Sequence, residues 1–183
     1  MTLAENDKPA LILGMSSEVK GQAGNPQRSA VSIEISIVAP DAADARWCLA
    51  QYMNELANRF DGGFNPAKGN SVSDAEMMPP NGWFLIARQE SRPVGCAALI
   101  RRDEATGEIK RMWTAPAARG QGLARRMLLR LEEIAREAGF HRVVLDTNRV
   151  LNEAQDLYRR QGFVEIAPYN DNPYADHWFE KQL

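Results

Sequence analysis

A chain of 183 residues, 44% hydrophobic and 25% charged, is long enough for one folded domain with its own core. Its 22 basic and 24 acidic residues leave a formal charge of -2, so nothing global points to nucleic acid or an anionic membrane as partner. Cys48 and Cys96 each lie among apolar residues and, with only His141 and His177 elsewhere, spell neither a disulfide framework nor a metal site; two buried free thiols are expected. The apolar run at 11–13 is too short for a membrane span. No basic segment followed by a long apolar stretch opens the chain, so a cytoplasmic protein is expected.

Residues 1–30 show weak periodicity and contain Pro9, Gly14, Gly21, Gly24 and Pro26; they read as an extension ahead of a single domain at 31–183. Residues 31–37 alternate strictly and predict a strand. Asp41 fits an N-cap, with Asp44 three residues on, for a helix carrying Trp47, Ala50, Met53, Leu56, Ala57 and Phe60. Asp61-Gly62-Gly63 stops it. A loop with one short helix near 73–78 follows. Strands at 83–89, 94–101 and 108–114, joined by short turns, predict an antiparallel meander. Trp47 and Trp83 read as core; Arg101-Arg102 and Lys110-Arg111 read as solvated faces.

After a glycine-broken loop, Leu123, Met127, Leu131, Ile134 and Ala138 form one helical stripe, ended by Gly139. Residues 143–145 predict a short buried strand. Asn152, with Gln155 at the capping-box position, opens a helix holding Ala154, Leu157 and Tyr158 and closed by Gly162. Two closing strands are predicted at 163–166 and 177–181. The mixed order of strands and helices makes the class α/β with a partly antiparallel sheet.

The loop Arg119-Gly120-Gln121-Gly122-Leu123-Ala124 sits where a helix begins. A helix start exposes unpaired N–H groups and the positive end of the dipole, which suits phosphate. Glycines let a backbone approach closely and take unusual dihedrals. Arg119, Arg125 and Arg126 add positive charge at an end the dipole already makes positive, a mismatch that an anion would relieve.

Strand 109–116, the loop with Arg119, Gly122 and Ala124 at the positions of Q/R-x-x-G-x-G/A, and the block 152–163 (NEAQDLYRRQGF) together resemble the GNAT superfamily of acyl-CoA-dependent N-acyltransferases. The resemblance implies a mixed, mainly antiparallel central sheet of about seven strands flanked by helices. It also implies a V-shaped splay between the fourth and fifth strands. It implies acetyl-CoA as cosubstrate and no metal. Pantetheine would lie along Met112, Trp113 and Thr114, and the pyrophosphate on the loop and helix start formed by Arg119, Gly120, Gln121, Gly122, Leu123, Ala124 and Arg125. Asn152 would touch the CoA arm and Tyr158 would stand near the thioester sulfur. Many relatives are dimers, so a homodimer is compatible.

Acyl transfer to an amine needs a base for the amine proton, donors for the oxyanion, and an acid for the leaving thiolate. Tyr158 is the candidate acid and the Met112 N–H the candidate oxyanion donor. Glu108 and Asp146 are alternative bases. Strand alternation puts Glu108 on one face with Lys110 and Met112; Asp146 ends the next strand, at a separation from Tyr158 that resembles family members acting on protein N-termini. No serine or cysteine stands in a nucleophile setting, which favours direct transfer. Residues 60–66 and 168–178 are candidate acceptor loops; the second holds two Tyr, two Asn and two Asp, with Asp171 and Asp176 as its acid groups. The expected function is acetyl transfer to a primary amine, with a small molecule such as an amino acid or related amine as acceptor. The alternatives are a CoA-binding sensor or interaction module without turnover, and a protein N-acetyltransferase. A nucleotide-binding domain is excluded because the loop lacks the Gly-Lys-Ser/Thr ending of a P-loop.

Overall fold

A computed structural model describes residues 32–69 and 71–183. The predicted extension at 1–30 lies outside the described residues. Strands β1 (Ile33–Val38), β2 (Gly82–Gln89), β3 (Arg92–Arg101) and β4 (Thr106–Thr114) form the antiparallel meander. β5 (Arg142–Thr147) joins β4 in parallel, and β7 (His177–Gln182) pairs with both β5 and the edge strand β6 (Val164–Ile166). The result is one seven-stranded sheet in the order β1-β2-β3-β4-β5-β7-β6. No described helix is long and apolar enough to cross a membrane.

Alternation divides the core into two layers. Phe84, Ile86, Cys96 and Ala98 face α1 (Ala43–Arg59) and meet Ala45 and Cys48. Leu85, Ala87, Ala97 and Leu99 face the other way and meet Leu123, Met127, Leu128 and Leu131 of α2 (Leu123–Glu137). Each large side chain fully buried this way contributes about 2 kcal/mol relative to exposure. Cys48 and Cys96 are free and buried. The third helix, α3 (Asn152–Arg160), adds Tyr158 to the α2-side layer.

One strand breaks its own alternation. Ala98 pairs with Lys110 while Cys96 pairs with Trp113, so two residue steps on β3 face three on β4. The extra residue is taken up around Arg111, whose φ of 56° is left-handed without being glycine. The bulge changes the faces. Ile109 and Met112 belong to the α2-side layer, whereas Trp113 belongs to the α1-side layer. Met112 therefore does not share a face with Glu108 and Lys110, contrary to simple alternation.

The parallel ladder between β4 and β5 runs only from Thr106↔Arg142 to Glu108↔Val144. Beyond it β4 stays with β3 and β5 with β7, and the two strands splay apart. This is the predicted V-shaped opening between the fourth and fifth strands.

Local readings at helix starts differ in detail. α1 is capped at Ala42 rather than Asp41, with no side-chain cap, and Asp44 instead pairs with Arg88 at 2.7 Å. α3 has Leu151 at its N-cap and Asn152 inside its first turn. Gln155, buried, does not close a capping box but donates to the carbonyls of Asn148 (3.2 Å) and Arg149 (3.1 Å), fixing the turn that precedes the helix. Trp47 is 45% exposed and packs only edge-on against Trp113, so it is not core. The loop after α1 holds 3-10 turns at Pro66–Lys68 and Ala75–Met77, the second inside the predicted short helix.

A buried ion pair docks α2 on the sheet. Glu132 is 2% exposed and accepts from Lys181 Nζ of β7 at 2.8 Å on both oxygens. Removing one partner of a buried pair leaves an uncompensated charge, while removing both does not. Arg136 also approaches Glu132, at 3.7 Å, so Lys181→Met is expected to cost about 2 kcal/mol in urea unfolding, and the double variant Glu132→Met/Lys181→Met to recover most of that loss.

Candidate active site

The splay opens into two adjoining cavities, one of about 410 Å³ and one of about 120 Å³. They share Tyr52, Leu56, Met112, Leu151, Ala154 and Tyr158 as common wall. Of the residues singled out in the sequence, Met112, Trp113, Thr114, Arg119, Gly120, Gly122, Leu123, Ala124, Arg125 and Tyr158 line the larger cavity. Asp146 lines the smaller one, again with Met112 and Tyr158. Glu108, Gln121 and Asn152 line neither.

The larger cavity is built on the glycine loop. A 3-10 turn at Pro116–Ala118 leads into Gly120 (φ 75°) and Gly122 (φ 73°), and Gly122 is the N-cap of α2. A Cβ on either glycine would meet no heavy atom within 4 Å, so it is the dihedral, not crowding, that demands glycine. The first α2 bond runs from Arg126 N to Gly122 O at 3.0 Å, which leaves the amides of Leu123, Ala124 and Arg125 without helical partners. No acidic residue stands in that first turn.

Arg119 is held by protein groups: its Nε donates to Thr114 O at 3.1 Å and its guanidinium pairs with Glu55 of α1. Glu55 also accepts from Trp113 Nε1 at 2.8 Å and pairs with Arg59 at 3.3 Å. One carboxylate on α1 thus ties the end of β4 to the loop. The sequence reading missed Glu55 and Tyr52 because it drew the apolar stripe of α1 through Trp47, Ala50 and Ala57, all exposed. The buried line through Ala45, Cys48 and Leu56 is the signal that would have placed both at the cavity wall.

Tyr158 stands where the cavities meet. It is 6% exposed, and its hydroxyl points at Met112 Sδ, 3.9 Å away. Phe163 and Phe179 pack on its ring at 5.8 and 5.9 Å. Burial first, then the neighbouring Tyr52 and the charge of Asp146, push its phenol well above the ordinary tyrosine range. Burial also raises the Tyr52 phenol to about 12, opposed by Arg111 beside it.

The smaller cavity holds Asp146, whose oxygens accept from Asn170 Nδ2 (2.7 Å) and Asn172 Nδ2 (2.9 Å). Two of the roughly four acceptor positions of a carboxylate are thereby used. Asn170 is itself fixed by Trp178 Nε1 at 2.9 Å. Both candidate acceptor loops reach this cavity, through Phe60, Phe64 and Pro66 on one side and Asn172 and Tyr174 on the other. Asp171 and Asp176 do not line it; Asp176 accepts from the Arg149 amide at 2.9 Å, and Asp146 is the carboxylate of the cavity.

Glu108 is 4% exposed and occupied elsewhere, by Lys110 Nζ at 2.9 Å and by the Tyr169 hydroxyl at 3.0 Å. Arg102 stacks on the same Tyr169 ring at 4.5 Å. This cluster pins the loop at 168–176 to β4. Neither Lys110 nor Arg111 is a solvated residue: the Lys110 side chain is 12% exposed, and Arg111 lies between α1 and β4. Among the described residues no group of His, Cys, Asp and Glu is placed to hold a metal.

The fold recurs in known proteins. The sequence profile of the Acetyltransferase (GNAT) family matches residues 49–163. The chain is 38% identical over 129 residues to an IAA acetyltransferase of Azospirillum brasilense, covering 69% of this chain and 82% of that one. A GNAT family acetyltransferase structure from Staphylococcus aureus Mu50 superposes with a TM-score of 0.68 at 20% identity, over 82% of this chain and 99% of that one. A GNAT family acetyltransferase from Elizabethkingia anophelis, solved with acetyl-CoA bound, superposes with a TM-score of 0.58 at 17% identity, over 82% of this chain and 98% of that one.

Glu55→Gln removes the carboxylate shared by Arg119, Arg59 and Trp113. It is expected to lower the unfolding free energy by about 1 kcal/mol, the modest value reflecting the solvent around Arg119. Urea unfolding followed by tryptophan fluorescence measures it.

Proposed function

Because the chain belongs to the GNAT acetyltransferase family, we propose that it moves an acetyl group from acetyl-CoA directly to the primary amine of a small molecule, with Tyr158 as proton donor and Asp146 as proton acceptor. The observation that carries this reading is the wall shared by the two cavities. Tyr158 and Met112 stand between a basic glycine-loop cavity and a smaller one that contains Asp146.

The larger cavity suits a long, phosphate-bearing thioester. Its volume is about 410 Å³, its floor is a helix start with free amides, and Gly120 and Gly122 leave open space above them. Acetyl-CoA brings the acyl group already activated as a thioester. The chain's own groups then act on protons and charge. Met112 falls in the bulge, with no register partner on β3 or β5, and its amide is the donor assigned to the developing oxyanion. Asp146 has acceptor positions left after Asn170 and Asn172, and these can take the amine proton directly or through a water. Tyr158, kept in its protonated form by burial, can hand its proton to the departing sulfur.

Glu108 is engaged with Lys110 and Tyr169, which supports a role in holding the acceptor loop and leaves the base to Asp146. Cys48 and Cys96 are buried and line neither cavity, which supports direct transfer over a covalent intermediate on either thiol. The size of the smaller cavity, about 120 Å³, supports a small acceptor over a polypeptide.

Tyr158→Phe keeps the packing and is expected to lower kcat about 10²-fold, with little change in KM for acetyl-CoA. Thiol release measures it, and a variant as fast as the parent would remove Tyr158 from the reaction. Because its phenol is raised, the wild type is expected to lose no activity through Tyr158 ionisation below about pH 10. Asp146→Asn is expected to lower kcat/KM for the amine about 10²-fold at neutral pH and to recover as pH rises and the amine deprotonates unaided. A pH profile without that recovery would count against Asp146 as base.

A further inference from the structure

We infer that the acceptor is an α-amino acid with a large apolar side chain, its carboxylate held by Arg111, its amine directed to Asp146 and its side chain seated among Phe60, Phe64 and Tyr174. This rests on the proposed amine acetylation and names the substrate class of that same site.

Charge in the smaller cavity carries the inference. Three charged side chains line it: Lys110, Arg111 and Asp146. Lys110 is paired with Glu108 at 2.9 Å, a carboxylate that Arg102 also approaches at 3.6 Å. Arg111 is only partly exposed, and its guanidinium touches Met53 Sδ at 3.8 Å and stands 5.8 Å from the Tyr52 ring centroid. Among the described residues it forms no ion pair. Asp146 likewise has amide donors but no cationic partner among the described residues. The wall of the cavity therefore includes one cationic and one anionic residue without an ionic partner among the described residues. Partly desolvated charges of this kind are stabilised by counter-charges, and a zwitterion supplies both at once. A simple amine would satisfy Asp146 and leave Arg111 as it is.

The rest of the wall sets the side chain. Phe60, Phe64 and Tyr174 form an aromatic trio with centroid separations of 5.7, 5.7 and 4.8 Å. The Tyr174 hydroxyl accepts from Asn65 N at 2.9 Å, which ties the two loops that carry the trio.

The step balances. The amine nitrogen forms a bond to the acetyl carbon and the C–S bond breaks. One proton leaves nitrogen toward Asp146, and Tyr158 supplies one to sulfur. The products are the N-acetyl amino acid and free CoA thiol.

The test compares acceptors on the wild-type full chain by thiol release from acetyl-CoA: phenylalanine, phenylalanine amide, phenethylamine and glycine. Phenylalanine is expected to exceed the amide and phenethylamine roughly 10²-fold in kcat/KM, because both lack the carboxylate. Glycine is expected to be poorer than phenylalanine for want of a side chain. Arg111→Gln is expected to collapse the ratio of phenylalanine to phenethylamine in kcat/KM from roughly 10² toward one. Equal use of phenethylamine and phenylalanine by the wild type overturns the inference and leaves amine acetylation standing. A preference for the carboxylate that survives Arg111→Gln also overturns it. No thiol release with any of the four overturns it together with the proposed function.

Discussion

Three residue pairs join β4 to β5, from Thr106↔Arg142 to Glu108↔Val144, and then the strands part. The bulge at Arg111 lies just beyond the last pair, and a bulge bends and twists the strand that carries it. A regular β4 would continue beside β5 and fill the space with backbone hydrogen bonds. The irregular one opens a cleft in the middle of the sheet, turns Met112 toward Tyr158, and leaves Arg111 between β4 and α1. Every functional assignment above depends on that departure from regularity.

The cleft has two electrical ends. At the glycine loop, free amides and the arginines Arg119 and Arg125 collect positive charge, partly balanced by Glu55. At the other end Asp146 and Arg111 line a smaller space that also has aromatic rings in its wall. Tyr158 sits between them in surroundings apolar enough to hold its proton. In the proposed reading a long anionic cosubstrate and a small amine approach from opposite sides and meet at the Tyr158 hydroxyl. Stability comes from elsewhere, chiefly the two apolar layers, while the Glu132–Lys181 pair fixes how α2 sits on the sheet.

Much of this was legible in the sequence because it is encoded locally. The alternation of β1, the apolar runs of β2 and β3, the α2 stripe ending at Gly139 and the glycine loop ahead of Leu123 all depend on neighbours a few residues apart. What escaped depends on partners far along the chain or on strain without a marker. Arg111 takes a left-handed φ with no glycine to announce it, so alternation carried Met112 to the wrong face. The face of α1 is decided by what β3 and β4 offer it, and that turned Trp47 outward and Glu55 inward. Asp171 and Asp176 looked like the acids of the acceptor loop, yet the loop uses Asn170 and Asn172 to hold Asp146, 24 and 26 residues away. The cap predicted at Asn152 failed because Gln155 reaches back to close the turn itself.

α1 contributes to both halves of the cleft from a single rod. Glu55 reaches the glycine loop, Tyr52 and Leu56 form common wall, and Phe60 closes the acceptor side. Were ligand contacts at one stretch of this helix to steady the other, the effect would run both ways. Thermodynamic reciprocity then applies: whatever one substrate contributes to the other's affinity, it receives in equal measure. A single helix thus forms part of the wall of both cavities, and at its N-terminal end Trp47 leans on Trp113 of the strand that lines the larger one.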